Sequence, residues 1–134
     1  MTLIRVLVVD DFELWRRFVC STLQRKPELH VVCEVSDGVE AVQKARELQP
    51  DLILLEIGLP SLNGIEAARR IRKLAPDCKI LFLSQESSAE IVQEALSVGA
   101  AAYILKTKAA SELLAAVEAA IMDKRFVGSM APTA

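Results

Sequence analysis

The chain has 134 residues, 52% of them hydrophobic and 25% charged, with a formal net charge of −2. This is the size and apolar content of one domain with a real core, and the charge gives no global case for a nucleic-acid binder. No apolar run approaches the roughly 18–20 residues that span a bilayer, and MTLIRVLVVDD enters a strand directly instead of reading as a secretory leader. Cys20, Cys33 and Cys78 are odd in number and match no metal spacing. They read as reduced, mostly buried thiols of a cytosolic protein. His30 is the only histidine and reads as a strand-edge residue, which leaves little support for a triad centred on it.

In chain order, strand and helix alternate five times. Ile4 to Val9 is a β-branched apolar run, the first strand. Asp11 to Lys26 carries Leu14, Trp15, Phe18, Val19, Thr22 and Leu23 as a helical stripe, with Pro27 just past its end. Val31 to Val35 is a second strand, and Ser36-Asp37-Gly38 is a turn that caps a second helix. Val39, Val42, Ala45 and Leu48 are the expected inner face of that helix, which Pro50 stops. Leu52 to Leu55 is continuously apolar, as in a strand covered on both faces. A loop with Gly58 and Pro60 follows, then a helix opened by Asn63-Gly64 with Ile65, Ala68, Ile71 and Ala75 inward.

Lys79 to Leu83 is the fourth strand. Ser88 caps the next helix, with Ile91, Ala95 and Leu96 inward and Gly99 as its C-cap glycine. Ala101 to Leu105 is the fifth strand, and Ser111 to Met122 the last helix, with Leu113, Leu114, Val117 and Ile121 inward. Residues 124–134 are weakly patterned and are expected to fray. Right-handed βαβ crossovers then predict an α/β fold: a doubly wound, five-stranded parallel sheet between two helical layers, flavodoxin-like, in the order 2-1-3-4-5.

Ligands collect at the carboxyl ends of such strands. Here those ends carry Asp10-Asp11, Glu56, Ser84 and Lys106. Taken singly, each has a plain reading: Asp11 as a helix cap, Ser84 as a turn opener, Lys106 as a solvated lysine. Together, after four apolar cores, they predict a shared site. Two carboxylates 4 Å apart repel by about 4 kcal/mol at an effective dielectric near 20. Lys106 is the resident cation against that repulsion, and Mg²⁺ suits the remaining oxygen-only set.

VLVVDD ending at Asp11, LPSLNGIEAARRI after Glu56, FLS ending at Ser84 and GAAAYILK ending at Lys106 make the chain resemble the receiver domain of two-component response regulators. It is most similar to the receivers that precede a LuxR-type helix-turn-helix. The resemblance covers about residues 3–123, so residues 1–123 are taken as the receiver and 124–134 as a tail or the start of a linker. It implies a phosphoryl group accepted from a sensor histidine kinase or phosphotransfer protein. It further implies Mg²⁺ held by Asp10, Asp11, the residue at position 56 and the Gly58 carbonyl. Lys106 would pair with the acceptor and the phosphoryl oxygens, with Ser84 and Tyr103 as switch residues. A receiver assists only its own phosphoryl transfer and is not otherwise an enzyme. Output would pass through the face formed by the fourth helix, fifth strand and fifth helix, with Tyr103, Glu90, Gln93, Glu94 and the region of Lys108 exposed. Ala109, Ala110, Ala115, Ala116 and Ala119 read as exposed helix formers, or as a surface for a partner helix.

Two positions depart from the family pattern. Thr107 stands where many members have Pro, which is common in the LuxR-type subfamily. Glu56 stands where the pattern has Asp. One more methylene moves the carboxylate about 1.3–1.5 Å outward. The expectation is poor phosphorylation with partial mimicry of the phosphorylated acceptor; the alternatives are a conventional switch with an engineered or tolerated Asp→Glu change, or a non-catalytic scaffold. A flavodoxin proper is disfavoured because Asp10-Asp11-Phe12-Glu13 would repel a phosphate. A haloacid-dehalogenase-type phosphatase is disfavoured because its aspartates are not adjacent.

Overall fold

The computed structural model describes residues 2–130. Its elements are β1 (Ile4–Val9), α1 (Glu13–Leu23), β2 (Leu29–Val35), α2 (Gly38–Leu48), β3 (Leu52–Leu55), α3 (Gly64–Leu74), β4 (Lys79–Ser84), α4 (Ala89–Ser97), β5 (Ala102–Leu105), a 3-10 turn (Lys106–Lys108), α5 (Ala109–Ile121) and β6 (Phe126–Val127). All neighbouring strands pair in parallel, in the order β2-β1-β3-β4-β5-β6.

Period-two alternation divides the strands between two cores. Leu7, Val9, Ile53, Leu55, Ile80, Phe82 and Tyr103 face the layer that holds α2, α3 and α4. Val6, Val8, Leu52, Leu54, Leu81, Leu83 and Ile104 face the layer that holds α1 and α5. Because helices cover both faces, the central strands need no polar side, which is why LILL and KILFL are apolar throughout.

Three expectations are corrected. The sheet has six strands, not five: Phe126 pairs with Ala102 and Val127 with Tyr103. Part of the expected fraying tail therefore belongs to the fold; residues 131–134 lie outside the described residues. In α2, Val39 is exposed, and Ala41 shares the buried face with Ala45. A three-residue spacing drifts around a helix of 3.6 residues per turn, so Val39 rotates out. Leu14 of α1 is likewise exposed, while Val19, Thr22 and Leu23 are buried.

Side-chain caps fix the starts of α2, α3 and α4, whereas α1 and α5 have none and run over Glu13–Leu23 and Ala109–Ile121 instead of the expected Asp11–Lys26 and Ser111–Met122. Asp37, Asn63 and Ser88 each accept a hydrogen bond from the backbone N–H three residues on, in α2, α3 and α4. Gly99 ends α4 with φ +89°, a conformation that favours glycine. Gly64 allows a closer approach still: a Cβ there would lie 2.0 Å from the Glu56 carbonyl oxygen. Gly64→Ala is therefore expected to destabilise the domain by about 1–3 kcal/mol, as overpacking does. Urea denaturation measures it, and an unchanged midpoint would show that the β3–α3 loop can yield.

Candidate functional site

The carboxyl ends of β1, β3, β4 and β5 bring Asp10, Glu56, Ser84 and Lys106 together. Each is buried: Asp10 is 4% exposed, Glu56 8%, Ser84 0% and Lys106 6%. The β-strand register explains the convergence, since Val9 pairs with Leu55, Leu55 with Phe82 and Ser84 with Leu105. Asp10, Glu56 and Lys106 each follow directly on a strand, and Ser84 is the last residue of β4, so all four reach the same buried rim.

Lys106 is the centre of charge. Its Nζ lies 2.8 Å from Asp10 Oδ2 and 3.6 Å from Glu56 Oε1. The Trp15 ring covers another side, with its centroid 5.0 Å from Nζ, a cation–π contact worth about 2 kcal/mol when desolvated. Asp10 Oδ1 accepts from the Phe12 N–H at 2.9 Å, and Arg16 donates to the Asp10 carbonyl at 2.7 Å. Glu56 Oε2 accepts from the Ile57 N–H at 2.9 Å. Among the described residues, no buried side-chain nitrogen or oxygen lacks a partner.

Burial pushes the Glu56 carboxyl above the usual carboxylate range. The Lys106 charge, the Ser84 hydroxyl and the Ile57 N–H oppose that rise, and the Asp10 charge adds to it. A raised folded-state value means that the folded protein binds the extra proton between the unfolded and folded pKa. The stability contribution of this group is then full below the unfolded value and lost as pH rises through the folded one. Glu56→Gln is expected to flatten stability against pH from the ordinary carboxylate range upward. Urea midpoints of both proteins across that range measure it, and parallel curves would contradict the burial effect.

The remaining site residues fall on either side of this cluster. Asp11 is exposed and caps nothing: Phe12 occupies the N-cap of α1 without a side-chain hydrogen bond, and Asp10 serves the Phe12 N–H instead. Gly58 lies in the exposed part of the β3–α3 loop. Ser84 Oγ accepts from the Glu86 N–H at 3.2 Å, and the Tyr103 hydroxyl donates to the Glu86 carbonyl at 2.6 Å. Tyr103 is 0% exposed, so it belongs to the core and not to an exposed face. Burial pushes its phenol up to about 12. Ala109 and Ala116 are also buried, whereas Ala110 and Ala115 are exposed. Glu90, Gln93 and Glu94 are exposed on α4 as expected.

The carboxylates of Asp10, Asp11 and Glu56 and the Gly58 carbonyl are all oxygen donors, and that chemistry fits a hard divalent cation. Among the described residues, no three His, Cys, Asp or Glu side chains already converge as a metal cage. Asp10 Oδ2 is engaged by Lys106 at 2.8 Å. Trp15 and the Glu86 backbone were not legible as site residues. Trp15 has the same sequence signal as its core neighbours on α1, and backbone groups carry no sequence signal.

The profile of the response regulator receiver domain matches residues 6–118. The chain is 36% identical over 115 residues to transcriptional regulatory protein LnrK of Bacillus subtilis, covering 86% of this chain and 52% of LnrK. It is 40% identical over 114 residues to response regulator protein VraR of Staphylococcus aureus, covering 85% and 54%. It thus spans about half the length of the curated relatives it matches. Its fold is similar to a LuxR-family two-component response regulator from Aurantimonas sp. SI85-9A1, with TM-score 0.88 and 31% identity over 93% of this chain and 89% of that one. It is also similar to the response regulator domain of Thermotoga maritima CheB, with TM-score 0.83 and 39% identity over 90% and 97%. Among the described residues, no helix is long and apolar enough to cross a membrane. A matched profile over most of the chain, relatives of this identity and the same sheet make it a member of the response regulator receiver domain family, with LuxR/NarL-type regulators as its homologues.

Proposed function

We propose that this receiver is poorly phosphorylated and that Glu56, at the acceptor position, partly imitates the phosphorylated state. One observation carries the reading: Glu56 is buried and turned toward Lys106, 3.6 Å away, instead of pointing to solvent. Its second oxygen is held by the Ile57 N–H, which leaves little freedom for in-line attack. The buried Tyr103, bonded to Glu86 beside Ser84, supports the same reading, because an inward aromatic fits an engaged switch. The mimicry is incomplete. Glu56 brings one negative charge where a phosphoryl group brings nearly two, and Lys106 stays closer to Asp10 than to Glu56.

Mg²⁺, when bound, would be held by Asp10, Asp11, Glu56 and the Gly58 carbonyl, and would neutralise charge on a phosphoryl group. Lys106 would offset the same charge, and Ser84 would offer a hydroxyl to a phosphoryl oxygen. A sensor histidine kinase or phosphotransfer protein is the proposed upstream partner, and an output domain or effector the downstream one. Incubation with acetyl phosphate and Mg²⁺, followed by intact-mass measurement, tests the reading. No added phosphoryl mass is expected, and a stoichiometric adduct on Glu56 would overturn it.

A further inference from the structure

We propose that the α4–β5–α5 face is a strand-accepting surface, that residues 124–130 fill it in cis, and that the site controls how firmly they are held. The inference rests on the reading of Ser84 and Tyr103 as switch residues given above.

The docking is built from several independent contacts. Phe126 N–H donates to the Ala101 carbonyl at 2.9 Å, and Gly128 N–H to the Tyr103 carbonyl at 2.8 Å, extending the sheet along β5. Both Glu112 carboxylate oxygens accept from the Ser129 N–H, at 3.1 and 3.0 Å, so α5 clamps the segment from one side. Arg125 donates to the Leu96 carbonyl at 3.1 Å on α4, and Met130 packs on the core shared with Tyr103. Gly128 is buried, and a Cβ there would lie 2.6 Å from Glu112 Oε1 and 3.0 Å from Ile104 Cδ1, so a side chain at this position would have to displace the Glu112 clamp. The surface therefore favours an extended peptide with a small residue at the α5 crossing.

A chain of hydrogen bonds runs from this strap to the site. Gly128 N–H binds the Tyr103 carbonyl, the Tyr103 hydroxyl binds the Glu86 carbonyl, and the Glu86 N–H binds Ser84 Oγ. Ser84 is itself one of the four buried strand-end residues of the site, paired with Leu105 immediately before Lys106. A change at Ser84 that shifts Tyr103 thus acts on the strand pairing that holds the strap. The two-state element is the strap itself, docked or released, and release would bare the edge of β5.

Hydrogen exchange of the 134-residue chain, read by NMR at the Phe126, Gly128 and Ser129 amides, tests this. Gly128→Val supplies the undocked rate, with circular dichroism confirming the fold. In the unsubstituted protein Gly128 should exchange more slowly than the 126 and 129 amides do in Gly128→Val. Ser84→Ala and Tyr103→Phe should each speed Gly128 and Ser129 by about fivefold or more, the low end of ordinary coupling between sites. Equal exchange at Phe126 and Ser129 in the unsubstituted protein and in Gly128→Val would overturn docking. Rates within about twofold of the unsubstituted protein in both relay variants would overturn the coupling, twofold lying below ordinary coupling between sites. Neither outcome depends on whether Glu56 takes a phosphoryl group, which the acetyl phosphate experiment decides separately.

Discussion

Lys106→Met is expected to destabilise the domain by about 3–5 kcal/mol, the usual loss when one partner of a buried ion pair is removed. The Lys106 side chain is 4% exposed and stands between Asp10, at 2.8 Å, and Glu56, at 3.6 Å. Without it, two buried carboxylates face each other with no cation between them, and methionine fills the volume but offsets no charge. Glu56, already raised by burial, would take up a proton and recover part of the loss. The loss should therefore be larger at pH 8 than at pH 5. Adding Glu56→Gln to Lys106→Met should restore part of the stability at the higher pH, because one of the two stranded charges is gone. Urea denaturation at both pH values measures all three proteins. A loss below about 1 kcal/mol would place Lys106 with ordinary surface pairs and contradict its burial.

Glu56→Asp is expected to raise labelling by acetyl phosphate in Mg²⁺ by about a hundredfold, since a misplacement of about 1 Å can cost a nucleophile that much. The shorter side chain draws the carboxylate back by about one C–C bond. It also cannot curl onto the Ile57 N–H in the way Glu56 does, which frees an oxygen for attack. Lys106, Ser84 and Asp10 are already buried at the same rim, and Asp11 follows on the exposed side. Intact-mass measurement over time gives the rate. If Glu56→Asp stays unlabelled under conditions that label an ordinary receiver, the site is defective beyond position 56, and the scaffold reading gains. If the unsubstituted chain labels as fast as Glu56→Asp, the extra methylene is not an obstacle.

The acceptor-like site and the strap differ in how far the residues alone announce them. Asp10, Glu56, Ser84 and Lys106 each follow an apolar run, so the sheet order alone brings them to one rim. The strap has no such run. Phe126 and Val127 are two apolar residues between Lys124-Arg125 and Gly128-Ser129, too few for a periodic signal. Their pairing depends on the open edge of β5, which exists only once the sheet is assembled. Tyr103 illustrates the same limit: its place on β5 was legible, but not which side of the strand its neighbours would cover.

By itself, the sequence determined the alternation of strands and helices, the caps at Asp37, Asn63 and Ser88, and the set of polar residues at the strand ends. These are local properties of hydrogen-bonding side chains and hydrophobic period, and they need no distant partner. Only the tertiary structure decided that Lys106 sits nearer Asp10 than Glu56, that Trp15 covers it, that Asp11 stays outside, and that residues 124–130 close the β5 edge. Each of those is a choice among partners far apart in the chain. Such choices follow from distances of a few ångströms and from the burial that sets the strength of every charge, and neither exists before the sheet has formed.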